Sequence, residues 1–505
     1  PRHSSDPAGT PGGSPSATLR QRVESWVRRS PPFTVSLSVH VLALLLLALC
    51  VVRVQRTRHA VLDLSFTTDA VDQPQPGRPE TPVTIPAPAV EPEPVAIESS
   101  EPVVPDPAAA PRVEEAAPPD DEGRSAPTAP VVGALLDGRN PGRREALLAA
   151  FGGSGETEAA VAKALDWLKK TQGKDGLWSL QGRYADGSRQ ENRLAATAMA
   201  LLAYQGAGHT TTTGAHAAVV QRAWKALAAR QLEDGQFDVP PMIPELHRMY
   251  AHAQATIAAC ELAGMTRVAD HRQVAERAIA FAVDSQGQDG GWRYVPGTAR
   301  GDTSMTGWYM MALKSGQMAA IDVPPDTFDR VGAFLDGVAF ETGARYGSRG
   351  VPVERRPLED TSAVSAEGLL SRQFMGWRRD DPRLTAGVAR LLAVNMPLLE
   401  AWGVGGAVME KKDVYGWYYL TQVVHHRGGD DWRRWNAVMR DVLPKAQVKS
   451  GRDAGSWDPT LDIWGHVGGR LFMTCFCTYM LEVYYRHLPI YGDEALAVVP
   501  AAQPR

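Results

Sequence analysis

The stretch Leu165–Trp178 reads LDWLKKTQGKDGLW, and its second half returns twice further along the chain. Leu227–Phe237 reads LAARQLEDGQF, and Ala280–Trp292 reads AFAVDSQGQDGGW. All three contain Gln-x-x-Asp-Gly-x-aromatic, with the aromatic residue at positions 178, 237 and 292. Such a regular spacing of 59 and 55 residues indicates a fold assembled from repeated units.

Three further copies bring the number of repeats to six. Ala454–Trp457 reads AGSW and lies 165 residues, or three periods of 55, after Trp292. Two degenerate copies are expected near positions 347 and 402, where Tyr346 and Trp402 stand without the Gln and Asp-Gly. Asp-Gly is a strong turn signal, so we interpret Asp175, Asp234 and Asp289 as turn residues.

Each copy predicts two helices of different character. The helix before the motif is amphipathic, with Val161, Ala164, Leu165 and Leu168 on one face, which suits an outer position with one wet side. Further outer helices are predicted at Ala217–Arg230, Gln273–Asp284, Pro325–Gly337, Pro382–Val394 and Trp432–Lys445.

The helix after each motif is apolar almost all round, which predicts complete burial. Six of these inner helices alternating with six outer ones predict an all-α (α/α)6 toroid of six helix pairs over residues 151–490. An open solenoid is the alternative, but it would not need such uniformly apolar inner helices. The inner helices are predicted at Leu194–Tyr204, Tyr250–Leu262, Ser304–Leu313, Ser362–Phe374, Tyr415–Val424 and Leu471–Tyr485.

The motif resembles the repeat of squalene–hopene cyclases and of protein prenyltransferase β subunits, an α/α toroid family in which Gln-x-x-x-Gly-x-Trp is structural. The resemblance covers about residues 150–490. It implies that the motif glutamine bonds backbone at a helix end and ties neighbouring repeats together. The matching positions are Gln172, Gly176 and Trp178, then Gln231, Gly235 and Phe237, then Gln286, Gly290 and Trp292, with Trp457 from the partial copy.

The catalytic motifs of that family are incomplete in this sequence. The cyclases protonate an alkene with Asp-x-Asp-Asp at the start of an inner helix, whereas the corresponding places here hold only Asp302 and Asp360, the latter beside Glu359. Both are candidate catalytic acids, and helix capping is the competing interpretation. The prenyltransferases bind zinc through Asp-x-Cys and a distant His, and no Asp-x-Cys occurs here.

No metal or cofactor is therefore expected. Cys475 and Cys477 are two residues apart on a helix and point away from each other, which favours buried thiols. His425, His426 and His466 have no partner at metal-ligand spacing, and we expect surface or capping positions for them.

A ligand pocket is predicted at the end where the inner helices begin, since mixed charge above an aromatic funnel suits an amphiphile. Ordinary core packing is the alternative for the aromatic residues. The pocket candidates are Arg193, His252, Trp308, Tyr309, Asp413, Trp417, Tyr418, Arg470, Phe472, Phe476 and Tyr479.

The first third of the chain has another composition. Residues 73–130 hold 16 of the 38 prolines and a net charge of −8, while residues 1–72 carry +3 and residues 131–505 carry +1. A body so near neutrality gives no electrostatic reason to bind nucleic acid. We interpret 55–150 as a largely disordered Pro-rich acidic tether and 491–505 as a C-terminal tail.

Residues 33–54 predict a transmembrane helix, because about 20 apolar residues span a bilayer. A signal peptide is the alternative, but three arginines follow in place of a cleavage site. Arginines in 1–32 favour a cytoplasmic N-terminus. The chain is thus expected to be a single-pass inner-membrane protein whose globular domain faces the periplasm.

Ser36 and His40 share one face of the predicted span, and polar residues within a membrane are functional candidates. The pair resembles the Ser-x-x-x-His pattern of TonB-type energy transducers, which couple to a proton-motive complex. A plain anchor with two interfacial polar residues is the alternative.

Three functions remain open from the sequence. The first is a binding toroid that engages an isoprenoid or other amphiphilic ligand, or an envelope protein partner. The second is a terpenoid cyclase-like or prenyltransferase-like enzyme that uses Asp302 or Asp360 as its acid. The third is a carbohydrate-active (α/α)6 enzyme, which would need two inward carboxylates about 5–10 Å apart over an open cleft.

Overall fold

The computed structural model describes residues 134–349, 362–396, 402 and 412–491. Within these residues the chain forms fourteen α-helices and one two-stranded antiparallel ribbon, β1 (Ala339–Phe340) with β2 (Arg345–Tyr346). Two short 3-10 helices lie at Ala134–Arg139 and Glu341–Gly343. The prediction of an all-α body is confirmed for this part of the chain.

Six amphipathic helices form an outer layer, preceded by α1 (Pro141–Phe151). In the first of them, Val161 and Leu165 are buried while Lys163 and Lys170 are exposed, as the sequence pattern predicts. The outer helices are α2 (Gly155–Thr171), α4 (Ala217–Ala228), α6 (Ala269–Asp284), α8 (Pro325–Gly337), α10 (Pro382–Val394) and α12 (Gly429–Ala446).

Six apolar helices form an inner layer, and in α3 every residue from Leu194 to Gly206 is buried. Small side chains such as alanine allow neighbouring inner helices to pack closely. The inner helices are α3 (Arg193–Gly206), α5 (Glu245–Thr266), α7 (Thr303–Met318), α9 (Ser362–Phe374), α11 (Val414–Arg427) and α13 (Gly465–Leu481).

The inner helices close into a ring. Each packs against the next in chain order, and α13 packs against α3 to complete the circuit. The outer layer closes in the same way, because α12 packs against α2. An open solenoid would leave the first and last pairs apart, so these contacts favour the closed arrangement.

The motif glutamines hydrogen-bond across neighbouring repeats. Gln172 Nε2 donates to Gly176 O in its own turn at 2.9 Å and to Val219 O at the start of α4 at 3.1 Å. Gln231 and Gln286 make the same two bonds, reaching Val274 O and Thr327 O respectively. Each glutamine thereby links one outer helix to the next.

The last of these glutamines closes the ring. Gln447 Nε2 donates to Gly455 O at 2.9 Å and to Ala160 O of α2 at 2.8 Å. The sequence motif did not identify Gln447, because it stands eight residues before Gly455 and the other motif glutamines stand four before their glycines. The sixth repeat is thus joined to the first by the same bond that joins the others.

The motif tryptophans are buried at the ends of the outer helices. Each indole Nε1 donates to a carbonyl in the last turn of the preceding outer helix, at 2.8–2.9 Å. The pairs are Trp178 with Leu168 O, Trp292 with Ala282 O and Trp457 with Leu443 O. Leu168 O and Leu443 O also accept from the backbone N–H groups of Gln172 and Gln447, so each indole adds a second hydrogen bond at the helix end. The two degenerate copies keep only the aromatic residue of the motif. Tyr346 is buried and packs against Gly368, and the ring centroids of Trp402 and Trp417 are 6.4 Å apart.

One predicted helix ends earlier in the chain than expected. The segment predicted as Leu471–Tyr485 ends as α13 at Leu481 and continues, after Glu482, as the short helix α14 (Val483–Arg486). The chain turns there across the end of the ring, where the Arg486 side chain contacts Glu261 of α5.

The predicted membrane span 33–54, Ser36, His40, Asp360 and the tail beyond residue 491 lie outside the described residues. So does the tether up to residue 133. Residues 134–150, which were expected to belong to the tether, instead form the 3-10 helix Ala134–Arg139 and most of α1, with Arg139 and Leu147 buried. Among the described helices, none has the length and apolar character that crossing a membrane requires.

We predict that Gln447→Leu destabilises the domain by about 2 kcal/mol, because two buried carbonyls lose their donor. Urea unfolding of the wild type and the variant measures this. Gln190→Leu, at an exposed glutamine, is the matched control and should change little. Equal midpoints for both variants would contradict a ring-closing role for Gln447.

Candidate functional site

A cavity of about 460 Å³ lies at the end of the ring where the inner helices finish. Trp308 and Tyr418 form its floor, and the exposed residues Gln317 and Asp322 stand near its opening. The sequence analysis expected the pocket at the opposite end, where the inner helices begin. At that end the structure has a more open depression of about 440 Å³ beside Tyr294.

The cavity has two chemically different walls. On α7, Met311 and Met318 line one side together with Ile321 and Val323 from the following loop. On α11, the lining residues are Tyr418, Gln422 and His426, which are four apart and share one helix face. The α7 wall is therefore largely apolar, with Lys314, Ser315 and Gln317 as its polar members, and the α11 wall carries a row of hydrogen-bonding groups.

His426 is the least satisfied group on the polar wall. It is 1% exposed, and neither ring nitrogen has a hydrogen-bond partner among the described residues. Burial, with a smaller contribution from His425, lowers its pKa to about 3, so the imidazole is neutral at pH 7. A neutral imidazole offers one donor and one acceptor.

A buried ion network forms one side of the cavity. The Arg139 guanidinium binds both Glu261 carboxylate oxygens, at 2.8 and 3.0 Å, and Arg486 approaches the same carboxylate at 3.3 Å. Arg486 also pairs with Glu482 at 3.0 Å. Burial raises the pKa of Glu482 to about 8 against the opposing effect of Arg486. The network joins the start and the end of the folded chain to α5.

Aromatic side chains fill the ring between the cavity and the other end. We call Trp308, Tyr415, Tyr418, Phe476 and Tyr479 the aromatic plug. Phe476 contacts the other four, with ring centroids 5.0–6.1 Å apart. Trp308 faces both regions, since it lines the cavity while its Nε1 donates to Tyr415 Oη at 3.0 Å.

Beyond the plug lies a buried acid. Glu367 of α9 is 1% exposed, and its Oε1 accepts from Tyr415 Oη at 2.5 Å and from Ser304 Oγ at 3.1 Å. Burial raises its pKa to about 8, although the bond from Tyr415 opposes the shift. Its Oε2 has no hydrogen-bond partner among the described residues. The carboxyl is therefore mostly neutral at pH 7.

Asp302 lies near Glu367 and caps α7. Its Oδ1 accepts from the backbone N–H groups of Ser304 and Met305 at 3.1 and 3.2 Å, and its Oδ2 accepts from Ser348 Oγ at 2.6 Å. These bonds engage both carboxylate oxygens, as expected of a helix-capping residue. Asp302 does not line the cavity.

The other charged and polar candidates at this end bind protein groups. Arg193 forms a two-bond ion pair with Asp175 at the surface, and Asp413 caps α11 through Gly416 N. His252 Nδ1 accepts from Phe237 N at 3.2 Å, the position that Thr197 and Thr306 fill for Trp178 and Trp292.

Arg470 binds Asp186 and Ser456. It thereby ties the loop that precedes α3 to the loop that precedes α13.

The remaining aromatic candidates pack within the protein. Tyr309 stacks on Trp292 at 5.0 Å, Trp417 packs against Trp402, and Phe472 packs on Phe476 at 4.2 Å. Tyr479 donates to Met199 O at 2.6 Å. Of the eleven pocket candidates, Trp308 and Tyr418 line the described cavity.

Several residues at the cavity were not identified from the sequence. His425 and His426 were expected at the surface or in a cap, but both are 1% exposed, and His425 binds His487 O at 2.9 Å. The spacing of Tyr418, Gln422 and His426 was the available signal for the polar wall. Glu367 carried no local signal, since its partners Ser304 and Tyr415 lie more than 40 residues away. Arg486 has a near partner in Glu482, but its contact with Glu261 of α5 could not be read locally.

The cysteines and the described acidic and histidine residues give no metal site. Cys260, Cys475 and Cys477 are free and buried, and burial raises the pKa of each thiol. Within the described ranges, no group of three or more His, Cys, Asp or Glu side chains is placed to hold a metal ion.

No protein-family model matches this sequence, and no curated protein matches it. Among solved structures, an inactive variant of the α-1,6-mannanase GH76A of Salegentibacter sp. HEL1_6, in complex with α-1,6-mannotriose, is similar at a TM-score of 0.46 and 10% identity, covering 65% of this chain and 99% of that chain. The type II terpene cyclase MstE from Scytonema, in complex with geranylgeranyl dihydroxybenzoate, is similar at 0.42 and 13% identity, covering 65% and 97%.

A novel α-amylase from Clostridium perfringens is similar at a TM-score of 0.43 and 11% identity, covering 65% of this chain and 97% of that chain. Similarity at this level assigns no activity, so the functional argument depends on the geometry of the cavity.

We predict that Glu367→Gln flattens the pH dependence of stability. Because the folded pKa of Glu367 is raised from 4.5 to about 8, the folded protein retains a proton that the unfolded chain releases between these values. The free energy of unfolding of the wild type should therefore fall as the pH rises through this range. Thermal melts at pH 5 and pH 8.5 should show a loss smaller by a few degrees in the variant.

The exposed Glu233 provides the control for this measurement, since Glu233→Gln should leave the pH dependence unchanged. Some pH dependence should persist in Glu367→Gln, because the pKa of Glu482 is raised in the same direction. Identical slopes for the wild type and Glu367→Gln would show that Glu367 is ionised in the folded protein.

Proposed function

We propose that this chain is a ligand-binding α/α toroid that holds a hydrophobic or amphiphilic molecule in the cavity between α7 and α11. The observation that carries the proposal is the cavity itself, about 460 Å³ with an apolar wall and a row of polar groups. Small-molecule sites typically measure about 300–1,000 Å³ and combine apolar walls with a few polar groups. An isoprenoid or another lipid of modest size is the expected class of ligand.

The geometry favours binding over cyclisation. A terpenoid cyclase-like enzyme needs its acid beside the bound chain, but Asp302 caps a helix at the other end of the ring. The neutral carboxyl of Glu367 is the stronger acid candidate, yet Trp308 and Tyr415 lie between it and the cavity.

The geometry also gives little support to a carbohydrate-active enzyme. Such an enzyme requires two carboxylates over an open cleft. Glu367 is buried and Asp302 is 4% exposed, so neither presents its carboxyl to an open surface.

We also propose, from the sequence, that residues 33–54 anchor the chain in the inner membrane and that 55–133 tether the toroid on the periplasmic side. An extended tether of this composition spans about 3.1 Å per residue. Such a protein would meet lipids and envelope proteins, which fits a lipid-sized cavity. An envelope protein partner remains compatible with the same arrangement.

We predict that Ser315→Trp abolishes binding of a hydrophobic probe, because Ser315 lines the cavity and an indole would occupy much of it. Titration with N-phenyl-1-naphthylamine, followed by fluorescence, measures binding. Lys225→Trp, on the exposed face of α4, is the matched control and should bind like the wild type. Undiminished binding to Ser315→Trp would place the probe elsewhere and refute the cavity as the site.

We predict that the double variant Ser36→Ala, His40→Ala remains in the membrane fraction, because the apolar length of 33–54 is unchanged. Carbonate extraction and immunoblotting measure this, with deletion of 33–54 as the control. Release of the double variant would contradict the anchor proposal. Loss of function in vivo with anchoring intact would favour energy coupling through this pair.

A further inference from the structure

The polar groups on the cavity wall define what the bound molecule must offer. Among the described residues, neither ring nitrogen of His426 has a hydrogen-bond partner, and neither do Oε1 and Nε2 of the Gln422 amide. Both side chains are at most 2% exposed and line the cavity. Leaving a buried polar group unpaired costs about 1–3 kcal/mol, so a ligand that pairs with these groups gains affinity.

The unpaired groups do not suit an anionic head, because they include acceptors as well as donors. The Glu261 carboxylate lies in the same cavity wall and is already neutralised by Arg139 and Arg486. A carboxylate could accept from Gln422 Nε2 and from the His426 N–H, but it has no proton to donate to Gln422 Oε1 or to the other ring nitrogen of His426. The neutral imidazole of His426 supplies no compensating charge.

A cationic head fits no better. It would meet the guanidinium of Arg486, and the Glu261 carboxylate is occupied by its two arginine partners. A hydroxyl group, in contrast, both donates and accepts and carries no charge. It can donate to Gln422 Oε1 and accept from the His426 N–H, or donate to the ring nitrogen.

We propose that the cavity binds a neutral lipid alcohol, with its hydroxyl between Gln422 and His426 on α11 and its hydrocarbon part against Met311, Met318 and Ile321. This assignment rests on the proposed function and adds the chemistry of the head group and its orientation. Methionine side chains on the opposite wall adapt to differently shaped hydrocarbon.

The experiment compares three probes of equal chain length: 1-tetradecanol, myristic acid at pH 8 and methyl myristate. Binding to the purified full chain in detergent is measured by displacement of N-phenyl-1-naphthylamine. We expect the alcohol to bind about tenfold more tightly than the acid or the ester, corresponding to one or two hydrogen bonds. Equal or tighter binding of the acid would overturn the proposal.

His426→Leu and Gln422→Leu test the head-group position. Each should weaken alcohol binding about tenfold and leave ester binding nearly unchanged. Removing an unpaired buried polar group should not lower the melting temperature of the ligand-free protein, whereas a structural histidine would. His216→Leu, a histidine at the start of α4 outside the cavity wall, is the matched control.

The outcomes separate the two proposals. If no probe binds and the cavity holds water only, the proposed function fails. If all three probes bind equally and the leucine variants change nothing, the cavity binds hydrophobic molecules but the hydroxyl assignment is wrong. Preference for the alcohol that disappears in His426→Leu supports both.

Discussion

The fold must bury six helices that are apolar on every side, and this constraint determines its closed shape. A solitary helix of this kind would expose most of its surface to water, and a row of them would leave two ends uncovered. Closing the row so that α13 packs against α3 covers all six at once. The Gln447 side chain, which bonds to Ala160 O, holds the outer layer closed at the same junction.

The repeating sequence made most of this fold predictable. Twelve helices were predicted from the alternation of amphipathic and apolar segments, because an amphipathic helix belongs at the surface and an apolar one in the interior. The bond of Gln447 was not predicted, since the turn in that repeat is four residues longer. The break at Glu482 was not predicted either, because apolar and aromatic residues continue beyond it.

The candidate site was much less predictable. Polar residues near the start of the inner helices looked suitable for a ligand, yet several of them maintain the fold: Asp302 and Asp413 cap helices, and His252 satisfies the backbone of Phe237. The sequence shows which residues can form hydrogen bonds but not which are already satisfied. His426 became a candidate only when its unpaired nitrogens and the adjoining cavity were known.

Buried carboxyl groups are stabilised differently at the two ends of the ring. At one end, Glu367 is accommodated by neutrality and by bonds from Tyr415 and Ser304. At the other, Glu261 is accommodated by two arginines from the first and last segments of the folded chain. The Glu261 side of the cavity is therefore held in place by Arg139 near the start of the domain and by Arg486 near its end. A ligand that pairs with His426 beside this network would stabilise the folded state in which these two segments meet.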